Sequence, residues 1–313
     1  MKHIGIVIVN WNAGDQLKNC VDSLLKYGLE LIDKIIIVDN NSSDNSAKKL
    51  EKHPVIQIIN LDNNMGFAKA CNIGAKYISS KYILFLNPDT MIFEDTLYGV
   101  LKFLEEPDHS DIGICGVKML DENNKITGSC ANFPSIGTFL YTASGLSKLF
   151  PKIFPNHFMV DFDHTYNRIV PQVIGAFNFI KNDLFIKIGG YDERFFVYYE
   201  DLDLALRVKN EGYNSYYLAD YAIYHKGGGV SSKVKAHRLF YLLRSRILYA
   251  FKHFSSSEAM LVLFFTYFVE LFTRIIFESL KLSLPDISNT IKGFFMLWKN
   301  LPNTIKVIKK NAS

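Results

Sequence analysis

The sequence contains few cysteines, and the four that are present show neither paired nor metal-type spacing: Cys20, Cys71, Cys115 and Cys130. This spacing argues against a zinc site and suits a reducing compartment. We also expect the start of the chain not to be a signal peptide, because the apolar run in "MKHIGIVIVNWN" is too short for one and no small-residue cleavage site follows it. We therefore expect this segment to be the first strand of a cytosolic protein.

Two common nucleotide-binding motifs are missing as well. The loop after the first apolar run, "NWNAGDQ", does not match the G-x-G-x-x-G of nicotinamide-type Rossmann sites, and there is no P-loop. Nor does it have the glycine-rich, Arg/Lys-bearing form that a nucleotidyltransferase needs. Both an oxidoreductase and a nucleotidyltransferase are therefore disfavoured. A nucleotide bound here would need another source of positive charge for its phosphates, such as a divalent metal held by one or two carboxylates.

The chain is large enough for a substantial core, and its charge is unevenly distributed. Its 313 residues are 49% hydrophobic, which suggests one to three domains. Residues 231–313 hold 13 Lys/Arg and 4 Asp/Glu, a balance of +9, whereas residues 1–230 hold 22 and 27, a balance of −5. A basic segment of this kind binds nucleic acid, binds a membrane surface or has no acidic partner at all.

The first part of the chain alternates apolar runs with amphipathic stretches. Leu17, Val21, Leu24 and Leu25 share one face of a predicted helix that stops at Gly28, and "SDNSAKKLEK" opens a second one with polar capping residues. This order predicts βαβ units, and hence an α/β fold with a mostly parallel sheet flanked by helices. Five segments are predicted strands, and the first four are continuously apolar, as buried parallel strands are: 4–10, 34–40, 56–62, 82–89 and 112–120.

Polar side chains gather where four of these strands end. Ligands of open α/β sheets lie beyond the carboxyl ends of the strands, so this grouping favours a shared polar crevice. Taken singly, each could cap the following helix, and for Asn40, Ser42 and Ser43 that interpretation is favoured. Asp89, in "YILFLNPDT", suits either an ordinary Asn-Pro-Asp turn or a bound cation. The strand-end residues are Asn10, Asn12, Asp39, Asn40, Asn41, Asp62, Asn63, Asn87 and Asp89.

Six segments follow one another along the chain: "VIVNWN", "IIIVDNNSSD", "NNMGFAKACNIG", "FLNPDT", "GAFNFIKNDLFIKIGGYDERFFVYYEDLDLALRVKNEGY" and "IYHKGGGVSS". Their sequences and their order resemble those of family 2 glycosyltransferases of the GT-A fold. The chain resembles the bacterial rhamnosyltransferase-like members of that family over roughly residues 4–232. The resemblance implies a GT-A catalytic domain over 1–232, with the nucleotide-binding part at about 1–120 and the acceptor-binding part at about 121–232. Residues 233–313 then form a basic, amphipathic helical region.

The resemblance assigns the donor-binding residues position by position. Asp39 corresponds to the residue that reads the nucleobase, and Val9, Asn10 and Asn12 form part of the same pocket. Asn64, Gly66 and Asn72 fall in the segment that lines the donor site. Asp89 matches the metal-binding aspartate of the D-x-D motif and implies Mg²⁺ or Mn²⁺. Asn87 takes the first position of that motif, and an amide is a neutral and weaker ligand.

The resemblance also assigns the catalytic residues of an inverting transfer. Asp201 corresponds to the general base that takes a proton from the acceptor hydroxyl. Glu200 orients the acceptor, and Asp203 is expected to form a structural ion pair. Helix capping is the alternative role for these carboxylates, because they stand in the first turn of a predicted helix. Gly175 and Ala176 belong to the acceptor site.

His225 matches the histidine of the family that contacts the metal or the diphosphate. Gly227, Gly228 and Gly229 follow it, and they suit either close approach to phosphate or a hinge. In the aromatic-rich segment 131–170, stacking on sugar and contact with lipid both stay open.

Two predicted helices follow in the basic region. "AMLVLFFTYFV" (259–269) is uncharged over only 11 residues, so we expect it not to span a membrane. Thr266, Glu270, Arg274 and Glu278 then form one polar stripe that allows Glu-Arg pairing. Pro285 is expected to break the helix, and Asp286 or Ser288 to cap a second one over 286–311. Its apolar face is Ile291, Phe294, Phe295 and Trp298, and lysines 292, 299, 306, 309 and 310 lie beside or after that face. For 259–284, packing on the catalytic domain or in a homodimer interface and contact with a membrane are equally open. For 286–311, the mix of Trp, Phe and Lys favours an anchor on an anionic membrane over those two alternatives.

Together these interpretations predict a glycosyltransferase that uses a nucleoside-diphosphate sugar. The rhamnosyltransferase likeness favours dTDP-L-rhamnose, and a UDP-sugar donor is the alternative. The acceptor is expected to be a glycan or a polyprenyl-diphosphate-linked intermediate of O-antigen or another cell-surface polysaccharide. We expect a cytoplasmic enzyme, peripheral on the inner face of the cell membrane, with no nucleic acid as partner. A non-catalytic nucleotide-sugar-binding module is the remaining alternative.

Overall fold

The computed structural model describes residues 3–227 and 234–309 of the chain. These residues divide into two compact units. The first unit comprises Met1–Asn132, Met159–Glu193 and Glu200–Val230, and the second comprises Phe133–Phe158, Arg194–Tyr199 and Ser231–Ser313. Gly228 and Gly229, named above as possible phosphate-binding or hinge positions, lie outside the described residues, as does Lys310.

The first unit contains the strands. They are β1 (Ile4–Asn10), β2 (Ile32–Asp39), β3 (Ile56–Asn60), β4 (Tyr82–Leu86), β5 (Thr90–Ile92), β6 (Ile112–Leu120), β7 (Ile126–Thr127), β8 (Cys130–Ala131), β9 (Arg168–Val170), β10 (Gln172–Val173), β11 (Phe177–Lys181) and β12 (Asn214–His225).

The helices are divided between the two units. The first unit holds α1 (Asp15–Tyr27), α2 (Phe67–Ala75), α3 (Thr96–Glu105), α6 (Asn182–Lys187) and α7 (Glu200–Asn210), and the second unit holds α4 (Ile136–Ala143), α5 (Leu146–Leu149), α8 (Lys235–His253), α9 (Ser256–Phe264), α10 (Glu270–Leu280), α11 (Leu284–Lys299) and α12 (Leu301–Lys309).

Ten of the described strands form one mixed sheet. Its main order is β3-β2-β1-β4-β11-β6-β12-β5, with β7 beside β6 and β9 beside β12. The pairs β1-β2, β1-β4 and β2-β3 are parallel, as predicted, whereas β11 runs antiparallel to both β4 and β6. All seven residues of β1 are buried, which explains its continuous apolar run. The carboxyl ends of β1, β2 and β4 therefore lie side by side at one edge.

Helix α2 packs closely on this sheet through a glycine. A Cβ atom on Gly74 would lie 2.5 Å from Cγ1 of Val7 and 3.1 Å from Cγ2 of Val38. Helix α1 buries Leu17, Val21 and Leu24 against the core, as predicted, and it ends before Gly28. Because Gly74 has no side chain, α2 can approach the sheet closely at this position.

The prediction of a helix over "SDNSAKKLEK" is wrong. Only a four-residue 3₁₀ turn forms there, at Ser46–Lys49, and no side chain caps it. The Oδ1 of Asp44 accepts hydrogen bonds from the backbone N–H and the hydroxyl of Ser46 at 2.9 and 2.6 Å. These local contacts compete with a regular helix, as short polar side chains do.

The second unit has its own helical core. Leu243, Ile247, Phe294 and Leu297 are fully buried there, and the hydroxyl of Tyr267 donates a hydrogen bond to the Leu297 carbonyl at 3.1 Å. The apolar face predicted for the helix over 286–311 is therefore divided in α11. Phe294 lies in this core, whereas Ile291, Phe295 and Trp298 are exposed.

Three expectations about the C-terminal helices need correction. Pro285 lies in the first turn of α11, and the chain breaks before it, between Leu280 and Leu284. Neither Asp286 nor Ser288 caps that helix, which starts after Ser283. A further break separates α11 from α12. Proline is well tolerated in a first helical turn, where its missing N–H has no intrahelical partner to lose.

The helix that contains the uncharged run 259–269 extends over Ser256–Leu280, well beyond that run. Helix α9, a π-helical turn at Phe265–Val269 and helix α10 form one helix of 25 residues. Within the described residues it is the one helix long and apolar enough to cross a membrane, by length and composition only. The argument that this segment is too short to span is therefore wrong, although length alone does not show that it spans.

Candidate active site

The loops after β1 and β2 are joined by hydrogen bonds. Asn10 and Asp39 are register partners on these strands, and Nδ2 of Asn10 donates to Oδ1 of Asp39 at 2.8 Å. Asn10 is fully buried, and its own Oδ1 has no hydrogen-bond partner among the described residues. Oδ1 of Asn12, in turn, accepts from the backbone N–H of Ser43 at 2.7 Å. The hydroxyl oxygen of Ser42 accepts from both Nδ2 of Asn10 and the N–H of Asn12, so the residues predicted for the nucleobase pocket form one hydrogen-bonded group.

Asn40 joins this group to the start of α2. Its Nδ2 donates to Oδ1 of Asn64 at 2.9 Å, and its Oδ1 accepts from the backbone N–H of Met65 at 2.8 Å. Gly66, at φ 83°, then leads into α2. Asn40 therefore caps no helix, and the capping interpretation of this residue was wrong. Sequence reasoning listed Asn40 among the strand-end residues but favoured a capping role, because its actual partners lie more than 20 positions away.

Asn72 faces a different part of the first unit from Asn40. Its amide exchanges two hydrogen bonds with the Tyr191 backbone, at 2.8 and 2.9 Å. The Asn72 side chain also lines a pocket of about 430 Å³ with Lys76, Phe185 and Gly190. Asn72 thus fixes the loop after α6, and a direct contact with the donor stays a prediction.

Asp89 and His225 lie together at the ends of β4 and β12. Nε2 of His225 is 3.5 Å from Oδ1 of Asp89, and both side chains are partly exposed. The neighbouring backbone holds them there, because His225 pairs with Thr90 and the N–H of Lys226 donates to the Asp89 carbonyl at 3.1 Å. Carboxylate oxygen and imidazole nitrogen are ligands that Mn²⁺ accepts.

This pair fits a metal that also takes ligands from a substrate. Among residues 3–227 and 234–309, no group of three or more His, Cys, Asp and Glu side chains could hold a metal ion. Two protein ligands leave several positions for water and diphosphate oxygens, which is how proteins usually hold Mg²⁺ at nucleotide sites.

Glu200 and Asp201 are the first two residues of α7. Oδ2 of Asp201 accepts a hydrogen bond from the Gly175 backbone N–H at 2.9 Å, and its Oδ1 accepts from the N–H of Leu202 at 2.8 Å. Burial raises the pKa of Asp201 despite these bonds. Burial, followed by the charge of Asp201, raises the pKa of Glu200 well above its usual value. Oε2 of Glu200 is buried with no hydrogen-bond partner among the described residues.

Asp203 forms the ion pair that was predicted for it. Its Oδ2 lies 2.8 Å from Nε of Arg207, one helical turn further on, and Asp203 is fully buried. Arg207 also donates to the Ile188 carbonyl at 2.8 Å. Asp203 therefore holds α7 in place, which separates its role from that of Asp201.

The dipeptide Gly175–Ala176 connects the two ends of the site. The Gly175 N–H bonds to Asp201, and the Ala176 carbonyl accepts from the N–H of Asn87 at 3.0 Å. A Cβ on Gly175 would lie 3.3 Å from Cβ of Asp201, so little space remains there for a side chain. The segment carrying Asp89 and the helix carrying Asp201 are thus both fixed to the same two residues.

The comparisons with known proteins identify the family to which the chain belongs. The family model described as glycosyl transferase family 2 matches residues 5–188, more than half of the chain. The chain belongs to this family, and it is an enzyme of nucleotide-sugar glycosyl transfer with the predicted GT-A fold.

The chain is also similar to three proteins whose names state an activity. The chain is 28% identical over 229 residues to rhamnosyltransferase WbbL of Escherichia coli (strain K12), covering 70% of this chain and 82% of that protein. It is 21% identical over 238 residues to the N-acetylglucosaminyl-diphospho-decaprenol L-rhamnosyltransferase of Mycobacterium tuberculosis (strain ATCC 25618 / H37Rv), covering 70% and 75%. The solved mannosyltransferase PcManGT from Pyrobaculum calidifontis, in complex with GDP-Man and Mn²⁺, superposes with a TM-score of 0.54 at 13% identity, over 99% of this chain and 79% of that one.

Proposed function

We propose that this enzyme transfers L-rhamnose from dTDP-L-rhamnose to a lipid-linked glycan, with inversion at the sugar. The two similar proteins named as rhamnosyltransferases support the donor, and the decaprenol-linked substrate in one of those names supports the acceptor. The observation that supports the mechanism best is the Gly175–Ala176 link. It ties the Asn87–Asp89 segment and Asp201 to one short piece of backbone, as a single displacement between the two requires.

Asp201 is the proposed general base. An acceptor hydroxyl is a poor nucleophile, so a carboxylate must take its proton while the bond to the sugar forms. The raised pKa of Asp201 brings the proton affinity of this carboxylate closer to what that transfer needs. Glu200, whose pKa is raised further, is neutral over a wider pH range and can donate a hydrogen bond that orients the acceptor.

Asp89 and His225 are the proposed ligands of a divalent metal at the diphosphate. The bound Mn²⁺ in the mannosyltransferase supports such a metal, and the oxygen and nitrogen atoms of this pair fit it. When bound, Mg²⁺ or Mn²⁺ would offset the negative charge of the departing nucleoside diphosphate. The partly exposed position of both side chains leaves room for the phosphate oxygens to complete the coordination.

The experiment is release of nucleoside diphosphate from a panel of dTDP-, UDP- and GDP-sugars, with and without Mn²⁺. We expect dTDP-L-rhamnose to give the highest rate, chelation to abolish it, and Asp89→Ala to remove it at any metal concentration. A UDP-hexose turned over faster would replace the proposed donor. Binding of a donor with no turnover of any of them would identify a non-catalytic binding module.

The proposed acceptor places the enzyme at the cytoplasmic face of the cell membrane. The +9 balance of residues 231–313 supports attachment to anionic lipid. The exposed side chains of Ile291, Phe295 and Trp298 on α11 support it too, since apolar and aromatic groups beside lysines suit a membrane interface.

A further inference from the structure

The helix formed by α9, the π turn and α10 buries polar as well as apolar side chains and exposes large apolar ones. Its polar residues Thr266 and Glu270 are buried. Its exposed face instead carries a row of large apolar side chains, which we call the apolar stripe, each between 51% and 76% exposed: Phe264, Phe268, Phe272, Ile276 and Leu280. A helix facing water buries its apolar side and exposes its polar one. The exposed side of this helix therefore suits an apolar environment.

The π turn keeps the stripe on one face. A residue advances about 100° around an α-helix, so each four-residue step drifts by about 40° and the stripe would turn through about 160° in all. The π turn at Phe265–Val269 inserts one extra residue into the helix and offsets about 100° of that drift. The five side chains consequently share one side of the helix over its last 17 residues.

The polar stripe on the other side is held inward by partners within the second unit. Glu270 is ion-paired with the buried Arg246 of α8, and the Arg274 guanidinium lies 2.7 Å from the same carboxylate. Thr290 of α11 donates to Glu278 at 2.7 Å. Turning the helix over would leave the buried Arg246 without its carboxylate, which is strongly unfavourable. The outward direction of the apolar stripe is therefore fixed.

Charge decides between a membrane and a second copy of the chain as the occupant. Lys281, Lys292 and Lys299 are exposed on the helices that carry or follow the stripe. A second copy would bring one region of +9 against another, whereas an anionic lipid surface has the opposite charge. Exposed apolar side chains also occur on α11, and Leu282 and Leu284 are exposed in the sequence between the stripe and those side chains.

We propose that this helix lies in the plane of an anionic bilayer, with the apolar stripe in the hydrocarbon. The proposal rests on the membrane-bound acceptor proposed above, and it names the segment that reaches the lipid. A spanning orientation would surround the helix with lipid, whereas one side of it packs along α8 and α11 and holds an ion pair. An in-plane helix accommodates both faces.

The test uses the full chain and vesicles of phosphatidylcholine, alone or mixed with phosphatidylglycerol. We expect wild type to sediment with the mixed vesicles. The double variant Phe268→Ser/Phe272→Ser should bind them at least about tenfold more weakly, since two phenyl groups no longer enter the hydrocarbon. The matched control is Phe93→Ser/Ile186→Ser, which removes two exposed apolar side chains of the first unit and should bind like wild type. Circular dichroism confirms that both variants fold.

Three results would overturn the proposal. One is equal vesicle binding by wild type and the stripe variant. Another is a wild-type dimer that the stripe variant converts to a monomer in light scattering, which would make a second copy the occupant. The third is resistance of bound protein to alkaline carbonate, which marks a spanning helix. Donor turnover, measured on the same variants without vesicles, tests the proposed function separately because it does not need the stripe.

Discussion

At the scale of single residues, a mutation can distinguish a general-base role of Asp201 from helix capping. We expect Asp201→Asn to lower the transfer rate by about 10²- to 10⁴-fold with donor affinity little changed, because only the proton acceptor is lost. Asp183→Asn is the matched control, since Asp183 also accepts from the N–H of the next residue in a first helical turn, at 2.7 Å. Transfer assays and donor titrations provide the comparison, and similar losses in both variants would make capping the role of Asp201.

The pH dependence of transfer should follow the same residue. A base works only when it is ionised, and burial raises the pKa of Asp201. The acidic limb of kcat/KM is therefore expected above the usual range of an aspartate, and it should disappear from the residual activity of Asp201→Asn. A limb at the ordinary value of about 3.9 would show that the carboxylate is not shielded during turnover.

Glu200 should make the fold less stable as the pH rises. Its pKa is higher in the folded chain than in the unfolded chain, so the folded state binds the proton more tightly. The free energy of unfolding should fall by up to about 1.4 kcal/mol per pH unit above the ordinary glutamate range. Glu200→Gln should therefore be more stable than wild type at about pH 8 and similar at about pH 4.5, in urea unfolding. Glu122→Gln, in an exposed loop, should match wild type throughout.

Which residues could be predicted depended on how far apart the partners lie in sequence. An ion pair was predicted for Asp203, and the structure shows its partner to be Arg207, one helical turn away. The contacts of Asn40 with Asn64 and of Asn72 with Tyr191 span 24 and 119 positions, so no local pattern reports them. Family resemblance located Asp89 and His225, which are 3.5 Å apart in space and far apart in the chain.

At the scale of elements, the close packing of α2 on the sheet gives a stability prediction. Gly74→Ala gains up to about 1 kcal/mol of helix propensity but forces a methyl group against Val7 and Val38, and overpacking costs about 1–3 kcal/mol. We expect a net loss of about 1 kcal/mol in urea unfolding with an unchanged m-value. Gly128→Ala is the control, because no atom lies closer than 3.9 Å to its added Cβ. A stabilised Gly74→Ala would mean that α2 shifts freely.

The limits of sequence reasoning were different for strands and helices. Continuous apolar runs located β1, β2 and β4 because both faces of these strands are largely buried. The strand β3 was also located, but it lies at the edge of the sheet and is partly exposed, so the expectation that it is buried was wrong. The helix expected at "SDNSAKKLEK" failed because Asp44 and Ser46 bond locally and to neighbouring loops. The polar stripe of α10 was predicted from its spacing, but its inward direction depends on Arg246 of α8, 24 positions earlier.

At the scale of the whole molecule, the basic balance of residues 231–313 and the acidic balance of residues 1–230 suggest a test of membrane binding by charge. Removing the chain beyond residue 285 would also take Phe294 and Leu297 out of the second unit's core, and any loss of binding would be ambiguous. Substituting exposed lysines avoids this difficulty. Lys292, Lys299 and Lys306 are all exposed on α11 and α12.

We expect the triple variant Lys292→Gln/Lys299→Gln/Lys306→Gln to bind anionic vesicles on the order of 100-fold more weakly, since each lysine near an anionic surface contributes about 1 kcal/mol. The salt dependence of vesicle binding should weaken in parallel, because salt screens only the electrostatic part. Lys52→Gln/Lys102→Gln/Lys125→Gln removes the same charge from exposed positions of the acidic part and should bind like wild type. Equal losses in the two triple variants would mean that net charge, rather than the basic C-terminal helices, attracts the protein to the lipid.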